Sequence, residues 1–421
     1  MITAKNTSED TIFVQIASYR DPELLPTIES CLQKAHNPGR LRFGICWQRS
    51  EKDQWPDIGH FYSDPRFLIL DVDYSKSKGA CWARSKTQTL YRGENFSLQI
   101  DSHSRFVDNW DKLLLDLWYD LSDPKAIFTG YPPSYFPDST EDKWDAVPHT
   151  CRVTRFTDPG TLSAQPHPVP DYKTRTTPVN ALHIAGGFIF GPGEINHTVP
   201  YDPELYFIGE ESSLALRFFT HGYNMYHPHK NILYHFYLRK EYSKHWSENP
   251  SWVEYSNVAK KRLNALIGKR DDIDLGIYGL GSVRTLDDFI KYSGIDYHKN
   301  KIHADTRKGI EPPCSNSAEG WKEKLVPFKG VLEWDHTQVP TCDDPKFWAI
   351  FVCDEHKESI FRKDMWMVDY PGLVTGDMNT LSVDFVYDSA KHEPTYILVW
   401  PYSHSGEWED SVYLPLKTKL P

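Results

Sequence analysis

The amino-terminal part of the chain alternates short apolar runs with a stretch of helical spacing, and this order restricts the fold more than any other feature. Residues 11–17 form a β-branched, apolar run that ends in turn-forming residues, as expected of a buried strand. Apolar side chains then recur at helical spacing over residues 24–32, and residues 41–47 and 67–72 have the pattern of two further strands. Strand, helix and strand in this order predict a right-handed parallel βαβ unit and therefore an α/β fold.

A later strand-like run ends abruptly in a carboxylate and an imidazole. Leu98 and Ile100 alternate with polar neighbours, and Asp101, Ser102 and His103 follow directly. Open α/β sheets bind ligands at the carboxyl ends of their strands, so Asp101 and His103 are candidate ligand contacts. A carboxylate oxygen and an imidazole nitrogen suit a divalent ion such as Mn²⁺ that bridges the protein and a diphosphate. On its own, this pattern more often marks a turn-forming Asp and a solvated His.

Four segments carry a resemblance to a known family. They are residues 13–21, 78–84, 90–94 and 98–106, which read FVQIASYRD, KGACWAR, LYRGE and LQIDSHSRF. Together they resemble the hydroxyproline and Ser/Thr polypeptide α-N-acetylglucosaminyltransferases, the family of the cytoplasmic enzyme that modifies the adaptor subunit of SCF ubiquitin ligases. A more distant similarity is to the mucin-type polypeptide N-acetylgalactosaminyltransferases. The resemblance implies a GT-A fold, a UDP-sugar donor, a divalent metal and retention of the anomeric configuration.

The resemblance extends to a glycine pair and an acidic turn. Gly186 and Gly187 match the small-residue strand that lies beneath the donor sugar in such enzymes, where a side chain would fill the space of the ring. Glu210 becomes a candidate hydrogen-bond acceptor for sugar hydroxyls, and Glu211 or Asp202 is an alternative catalytic carboxylate. Without the resemblance, Glu210 and Glu211 would be ordinary acids in the first turn of a helix.

The resemblance also implies a third metal ligand among the histidines of residues 226–237. We favour His235, which follows a short apolar strand, and His229 is the alternative. A single histidine here would more often be a hydrogen-bonded structural residue, so only its pairing with Asp101 and His103 supports the assignment.

Several further residues are candidate contacts of the UDP part of the donor. Arg20, Lys78 and Arg84 could hold phosphate or uracil oxygens by charge-assisted hydrogen bonds, and Ser18 lies at the end of the first strand beside Arg20. Exposed basic side chains are common, so Arg84 could equally be a solvated helical residue and Arg20 a turn residue paired with Asp21.

Charge and composition exclude some classes of function. The 47 Lys and Arg against 58 Asp and Glu give a net charge of −11, which argues against nucleic acid or an anionic membrane as a partner. No segment has the length and apolarity of a signal peptide or a membrane span, so we expect a soluble, cytoplasmic protein. The 7 cysteines lack Cys-X-X-Cys spacing, which favours reduced structural thiols.

The rest of the chain predicts the domain organisation. Residues 122–180 are rich in proline and predict long loops over a few strands, which would form the acceptor side of the site. Residues 244–305 are mainly helical in pattern. We therefore expect a GT-A domain over residues 1–310.

A different pattern follows the proline- and glycine-containing boundary at residues 308–316. Residues 347–353, 380–387 and 396–400 are strand-like runs separated by polar turns, which predicts a small all-β, sandwich-like domain over residues 318–421. The resemblance does not cover this domain. Its role stays open between recognition of an acceptor or partner, stabilisation of the first domain and oligomerisation.

The predicted function is a retaining, metal-dependent glycosyltransferase. It would move N-acetylglucosamine from UDP-GlcNAc to a hydroxyl of a protein acceptor, on hydroxyproline or Ser/Thr, with Mn²⁺ held by Asp101, His103 and His235. The acceptor is expected to attack on the same face as the departing phosphate, which would act as its base, because no nucleophile is identifiable from sequence. The alternatives are transfer from UDP-GalNAc, UDP-Gal or UDP-Glc to a glycan acceptor, and a noncatalytic carbohydrate-binding protein of the same fold. The oligomeric state stays open.

Overall fold

The computed structural model describes most of the chain and divides it into two compact units. The described residues are 9–141, 144, 146–158, 160–207, 209–239, 242–322, 325–367, 378–389 and 392–419. The units are residues 1–321 and 322–421. Within the described ranges, no helix combines the length and the apolarity needed to cross a bilayer.

The first unit contains both helices and strands. Its strands are β1 (Ile12–Tyr19), β2 (Leu41–Arg49), β3 (Phe67–Asp73), β4 (Phe96–Asp101), β5 (Ser104–Phe106), β6 (Ala126–Thr129), β7 (His149–Asp158), β8 (Thr161–Pro168), β9 (Val179–Asn180), β10 (Phe188–Pro192), β11 (Asn224–His227), β12 (Leu233–His235), β13 (Ile295–Asp296) and β14 (Lys301–Ile302). Its helices are α1 (Leu24–Lys34), α2 (Ala80–Gln88), α3 (Trp110–Leu121), α4 (Ile195–Thr198), α5 (Glu210–Thr220), α6 (His245–Glu248), α7 (Trp252–Leu266), α8 (Leu286–Ser293) and α9 (Ala304–Arg307).

A mixed, mainly parallel sheet forms the centre of this unit. Its strand order is β3-β2-β1-β4-β10-β6-β11-β9. β1 to β4 are parallel to one another, β6 and β11 are parallel, and β10 lies antiparallel between β4 and β6. The first four strands and α1 overlap the runs that the sequence pattern identifies. The predicted α/β fold class is confirmed.

Helices cover both faces of the sheet, which explains why its strands are almost continuously apolar. On one face, Ile12, Val14 and Ile16 of β1 pack in a core that includes α1 and α3. On the other face, Ile127 and Ile189 belong to a second core that includes α5, α7 and α8. Each such side chain contributes roughly 1.5–3 kcal/mol by leaving water, so this core holds the sheet and its strand ends in place.

The proline-rich segment contains more strand than its composition predicts. β7 and β8 pair antiparallel in a two-stranded hairpin, with Pro166 opposite Cys151 and Pro168 opposite His149. Proline has no N–H to donate to a ladder and is confined to edge strands, a condition that β8 meets. The prediction of long loops is therefore only partly right for this segment.

The second unit is built from β strands in the part that the structure describes. Its strands are β15 (Leu325–Asp335), β16 (Pro345–Cys353), β17 (Ser359–Trp366), β18 (Met378–Asp388), β19 (Tyr396–Ser403), β20 (Val412–Pro415) and β21 (Thr418–Lys419). They form two antiparallel sheets in the orders β18-β15-β21 and β17-β16-β19-β20. Side chains of both sheets, including Leu332, Trp348 and Val399, share one buried core. The expected all-β character of this part of the chain is confirmed.

Candidate active site

A cleft opens where the parallel strands β1 and β4 end. Its volume is about 310 Å³, and its lining includes Tyr19, Asp101, the start of α2 and much of the segment from His235 to Trp246. Ala17 is paired with Asp101 across the two strands, so both strands end at the same edge of the sheet. This is the edge at which α/β sheets bind their ligands.

Three predicted metal ligands meet in this cleft. The ligand atoms of Asp101, His103 and His235 all lie within 4.8 Å of one another. His235 Nε2 lies 3.1 Å from Asp101 Oδ2, and His103 Nε2 lies 3.9 Å from the same oxygen. β12 pairs antiparallel with β5, and this pairing sets His235 opposite Ser104, next to His103. His229 is buried but does not belong to this group of ligand atoms.

Asp21 orients His103. The Asp21 side chain is 1% exposed, and its Oδ2 lies 2.8 Å from His103 Nδ1 and 2.6 Å from the Ser102 hydroxyl that donates to it. Since a carboxylate only accepts, His103 must carry its proton on Nδ1, so its Nε2 is the nitrogen that can accept a hydrogen bond or bind a cation. Burial and the nearby Arg239 lower the pKa of His103 to about 4, so the imidazole is neutral at neutral pH, the form that binds metals.

Arg239 brings a positive charge to the same place. Its guanidinium donates to His103 Nε2 at 3.0 Å and to Asp21 Oδ2 at 2.8 Å. Lys244 also lines the cleft, and desolvation together with Arg239 lowers its pKa to about 8. Two basic side chains therefore stand beside the group of metal-ligating atoms, where an anion such as a diphosphate would be attracted.

Arg84 links Asp101 to Glu210. Its guanidinium donates to Asp101 Oδ1 at 2.6 Å and to Glu210 Oε1, which also accepts from the Tyr201 hydroxyl at 2.7 Å. Burial opposes the ionisation of Asp101, but Arg84 and His235 outweigh it and hold the pKa of this carboxyl well below its usual value. Arg84 is therefore buried and hydrogen-bonded to two carboxylates, and it is not a solvated helical residue.

The glycine pair fits closely against these carboxylates. β10 runs antiparallel to β4 with Phe188 opposite Ile100, so the residues before β10 lie beside the end of β4. A Cβ on Gly186 would lie 2.8 Å from Glu210 Oε1, and one on Gly187 would lie 2.9 Å from Asp101 Oδ2. Neither position has room for a side chain. Glu211 Oε1 accepts the N–H of Gly186 at 2.9 Å.

Three residues expected to contact the nucleotide do not line this cleft. Side chains alternate along β1, so Tyr19 faces the cleft while the buried Ser18 points elsewhere. Arg20 forms ion pairs with Asp53 at 2.7 Å and Glu248 at 2.5 Å, and not with Asp21. Lys78 lies in a separate groove. A nucleotide contact by Ser18, Arg20 or Lys78 therefore stays a prediction.

Comparison with known proteins identifies the family. The family model described as "Glycosyltransferase (GlcNAc)" matches residues 11–66 and 60–299. The chain belongs to this glycosyltransferase family. No curated protein matches the chain.

The similar solved structures are distant in sequence. GalNAc-T7 with UDP, GalNAc and Mn²⁺ has a TM-score of 0.47 and 15% identity, over 97% of this chain and 72% of that chain. S. aureus TarS 1–349 with UDP-GlcNAc has a TM-score of 0.39 and 10% identity, over 63% of this chain and 68% of that one. TarS 1–349 alone has a TM-score of 0.36 and 8% identity, over 54% of this chain and 60% of that one.

Sequence reasoning missed two residues of this glycosyltransferase's cleft. The sequence pattern indicated a turn residue at Asp21. It gave no indication of a role for Arg239, which lies four positions after His235. The available signal was proximity in sequence to site residues, since Asp21 follows the end of β1 and Arg239 follows β12. Both act by contact with His103, which lies more than a hundred positions from Arg239.

Proposed function

We propose that this glycosyltransferase is a retaining, metal-dependent enzyme that transfers N-acetylglucosamine from UDP-GlcNAc to a hydroxyl of a protein acceptor, on hydroxyproline or Ser/Thr. The observation that carries the proposal is the grouping of Asp101, His103 and His235 in one cleft beside the Gly186–Gly187 pair. The family match supports the reaction class. The donor, the acceptor and the stereochemistry are our inference.

The residues present fit a divalent cation such as Mn²⁺. One carboxylate and two imidazoles form a donor set of borderline hardness. The hydrogen bond from His103 Nδ1 to Asp21 leaves Nε2 unprotonated, and a cation bound there would replace the hydrogen bond that Nε2 accepts from Arg239. When bound there by Asp101, His103 and His235, the cation would offset the charge of the diphosphate and stabilise the departing UDP.

The chain's own residues would hold the two ends of the donor. Arg239 and Lys244 stand beside the metal-ligating atoms and would bind phosphate oxygens. On the other side, Gly186 and Gly187 let the backbone pack directly against Glu210 and Asp101, which would bring these carboxylates close to a sugar resting on that backbone. Glu210 is oriented by Arg84 and Tyr201, and its remaining lone pairs can accept from sugar hydroxyls. Arg84 ties the sugar side of the cleft to Asp101.

Retention follows if the acceptor attacks from the face that UDP leaves. The acceptor oxygen would form a bond to the anomeric carbon as the bond from that carbon to the phosphate oxygen breaks and UDP keeps the electron pair. The hydroxyl proton would pass to the departing phosphate. Of the carboxylates considered as nucleophiles, Asp202 has surroundings that do not favour this role. It is buried and forms an ion pair with Arg262 at 2.6 Å. This leaves Glu211 as the other carboxylate considered for that role, beside direct attack by the acceptor.

A screen of UDP-sugar hydrolysis tests the proposal without knowledge of the acceptor. The purified chain would be incubated with Mn²⁺ and, separately, UDP-GlcNAc, UDP-GalNAc, UDP-Gal and UDP-Glc, and the released UDP and sugar measured. We expect turnover that is greatest with UDP-GlcNAc and lost on chelation. Asp101→Ala and His103→Ala should abolish it while the circular dichroism spectrum is unchanged, since both residues lie at a strand end. Turnover of no donor, or full turnover in these variants, would reject the assignment.

The anomeric configuration can be read from the same reaction. NMR of the sugar as it is first released shows whether the α configuration of the donor is kept. Retention supports same-face attack or a covalent intermediate, and inversion would contradict the retaining proposal. A peptide that contains 4-hydroxyproline, with a matched serine peptide, would then test the acceptor class.

A further inference from the structure

Glu211 holds a position between the donor-sugar glycines and a buried histidine. Its Oε1 accepts the Gly186 N–H at 2.9 Å, so the carboxylate is tied to the backbone on which the sugar would rest. Its Oε2 lies 3.8 Å from His183 Nε2. The Glu211 side chain is 35% exposed, so a small hydroxyl-bearing molecule can reach it. One oxygen of Glu211 is therefore hydrogen-bonded to the backbone, and the other faces His183.

The residue that Glu211 Oε2 faces, His183, is unusual in its own right. Its side chain is 1% exposed, and among the described residues neither of its ring nitrogens has a hydrogen-bond partner. Leaving a polar group buried without a partner costs about 1–3 kcal/mol, and such groups in native structures call for an explanation. Burial lowers the pKa of His183 to about 3, so the ring is neutral and one nitrogen carries a proton. Glu211 Oε2 is an acceptor within reach of a small movement of that ring.

Neighbouring groups make Glu211 unusual among the acids of the site. The charged or titratable groups that influence or face it are Glu210, Arg84, Asp101, Tyr131, Cys151, Tyr237 and His183. Loss of part of its hydration raises the pKa of Glu211, with Glu210 adding to the effect and the Gly186 N–H and Arg84 opposing it; the 35% exposure of the side chain limits this rise, for which about 7 is the upper value. An acid that titrates near neutrality is well matched to accepting and releasing protons in a catalytic cycle.

We propose that Glu211 accepts the proton of the hydroxyl that attacks the donor sugar, and that His183 is a positioning residue that holds the second oxygen of Glu211. The inference rests on the proposed function and changes one of its steps. The hydroxyl oxygen forms the new bond to the anomeric carbon, the bond to the phosphate oxygen breaks with its electron pair on UDP, and the hydroxyl proton passes to Glu211 instead of to the departing phosphate. Glu211 then releases it to solvent.

The other two carboxylates of this region already form ion pairs with arginines. Asp202 is paired with Arg262, and Glu210 is held by Arg84 and the Tyr201 hydroxyl. Protonation of either would break an ion pair with a buried Arg. Of the three acids, Glu211 is the one that forms no ion pair with an arginine among the described residues, and this distinguishes it as the proton acceptor.

The test uses the full chain with water as the acceptor. UDP-GlcNAc hydrolysis with saturating Mn²⁺ would be measured from pH 5 to 9 for the wild type, Glu211→Gln, His183→Leu and His183→Asn. Gln keeps an oxygen for the Gly186 N–H but cannot take a proton, so this variant separates the backbone contact from proton transfer. The matched control is Glu204→Gln, which changes a 60% exposed acid paired with Arg262.

We expect the wild-type rate to rise with pH through about 7, because the carboxylate form is active. Glu211→Gln should remove this rise and lower the rate by at least roughly 100-fold, the usual lower value for lost acid–base catalysis. His183→Leu removes the imidazole that, after a small movement of its ring, would donate to Glu211 Oε2, and this variant should move the rise to higher pH. His183→Asn keeps a donor and should move the rise back. UDP binding should be unchanged in all variants, and Glu204→Gln should match the wild type.

The inference is overturned by a wild-type rate without a rise near pH 7, which requires no variant to fold. It is also overturned if Glu211→Gln keeps both the rate and the rise, which would leave the proton with the departing phosphate. A wild type that hydrolyses no UDP-sugar but binds UDP would instead reject the proposed function, and this inference with it.

Discussion

Replacing Asp21 with Asn tests whether the hydrogen bond to His103 prepares the metal site. The substitution keeps the size of the side chain but removes the charge that accepts from His103 Nδ1, from Ser102 and from Arg239. An amide can present either its oxygen or its nitrogen to His103, so the imidazole loses the partner that fixes its proton on Nδ1. Nothing that touches the cation directly is changed.

The expected loss of Mn²⁺ affinity follows from the hydrogen bonds that Asp21 accepts. Loss of a partner that orients a metal-ligating histidine typically lowers metal affinity about 10- to 100-fold, or roughly 1.4–2.7 kcal/mol. A hydrogen bond to a charged group contributes about 1.5–3 kcal/mol, which gives the same range by an independent route. We therefore expect the half-saturating Mn²⁺ concentration for UDP-GlcNAc hydrolysis to rise 10- to 100-fold. The rate at saturating Mn²⁺ should largely recover.

The assay is a Mn²⁺ titration of hydrolysis, with free Mn²⁺ followed by electron paramagnetic resonance as a direct measure of binding. Asp111→Asn is a matched control, because Asp111 is also fully buried and accepts the backbone N–H groups of His36 and Asn37 away from the cleft. It should lower stability without changing the Mn²⁺ requirement. An unchanged Mn²⁺ requirement in Asp21→Asn would refute the reasoning. A loss that Mn²⁺ does not restore would show that Asp21 acts chiefly through Arg239.

Three further predictions concern the same unit and its boundary. His235→Ala should abolish Mn²⁺-dependent hydrolysis and His229→Ala should not, and the reverse result would mean that the third ligand is misplaced. Gly187→Ala places a Cβ 2.9 Å from Asp101 Oδ2 and should lower turnover on the order of 100-fold while UDP still binds; equal loss of UDP binding in calorimetry would contradict this. Removal of residues 322–421, which form a separate compact unit, should leave hydrolysis largely intact, whereas aggregation or lost hydrolysis would show dependence on that unit.

Local pattern predicted the elements of the sheet well. Each of β1 to β4 is a run of apolar residues bounded by turn chemistry, and that information lies within a few neighbouring positions. The placement of Asp101 and His103 at a strand end followed from the same pattern. β8 was harder to predict, because its prolines signal a loop unless the strand is known to lie at an edge.

Contacts between distant positions account for what the pattern could not predict. His235 lies 134 positions from Asp101 and reaches it only through the pairing of β12 with β5. The role of Asp21 depends on a buried hydrogen bond to His103 that no spacing reveals. Ser18 was expected to contact the nucleotide because it is near the end of β1. Neighbouring side chains on a strand point to opposite faces, so a shift of one residue decides which face a side chain occupies. His183 carries no sequence signal, since its interest lies in the absence of a hydrogen-bond partner among the described residues.

The reversed direction of β10 bears on how such enzymes diversify. β6 ends, and β10 begins, at the edge of the sheet where the cleft opens, because the two strands are antiparallel neighbours. Both ends of the segment between Thr129 and Phe188 therefore lie at the edge of the sheet where the cleft opens, and within this segment β9 adds one strand at the border of the sheet, beside β11. A segment with both ends on one side can be lengthened, shortened or exchanged without changing the order of the core strands. Under the proposed function, variation in acceptor choice could accumulate there while Asp101, His103 and His235 stay in place.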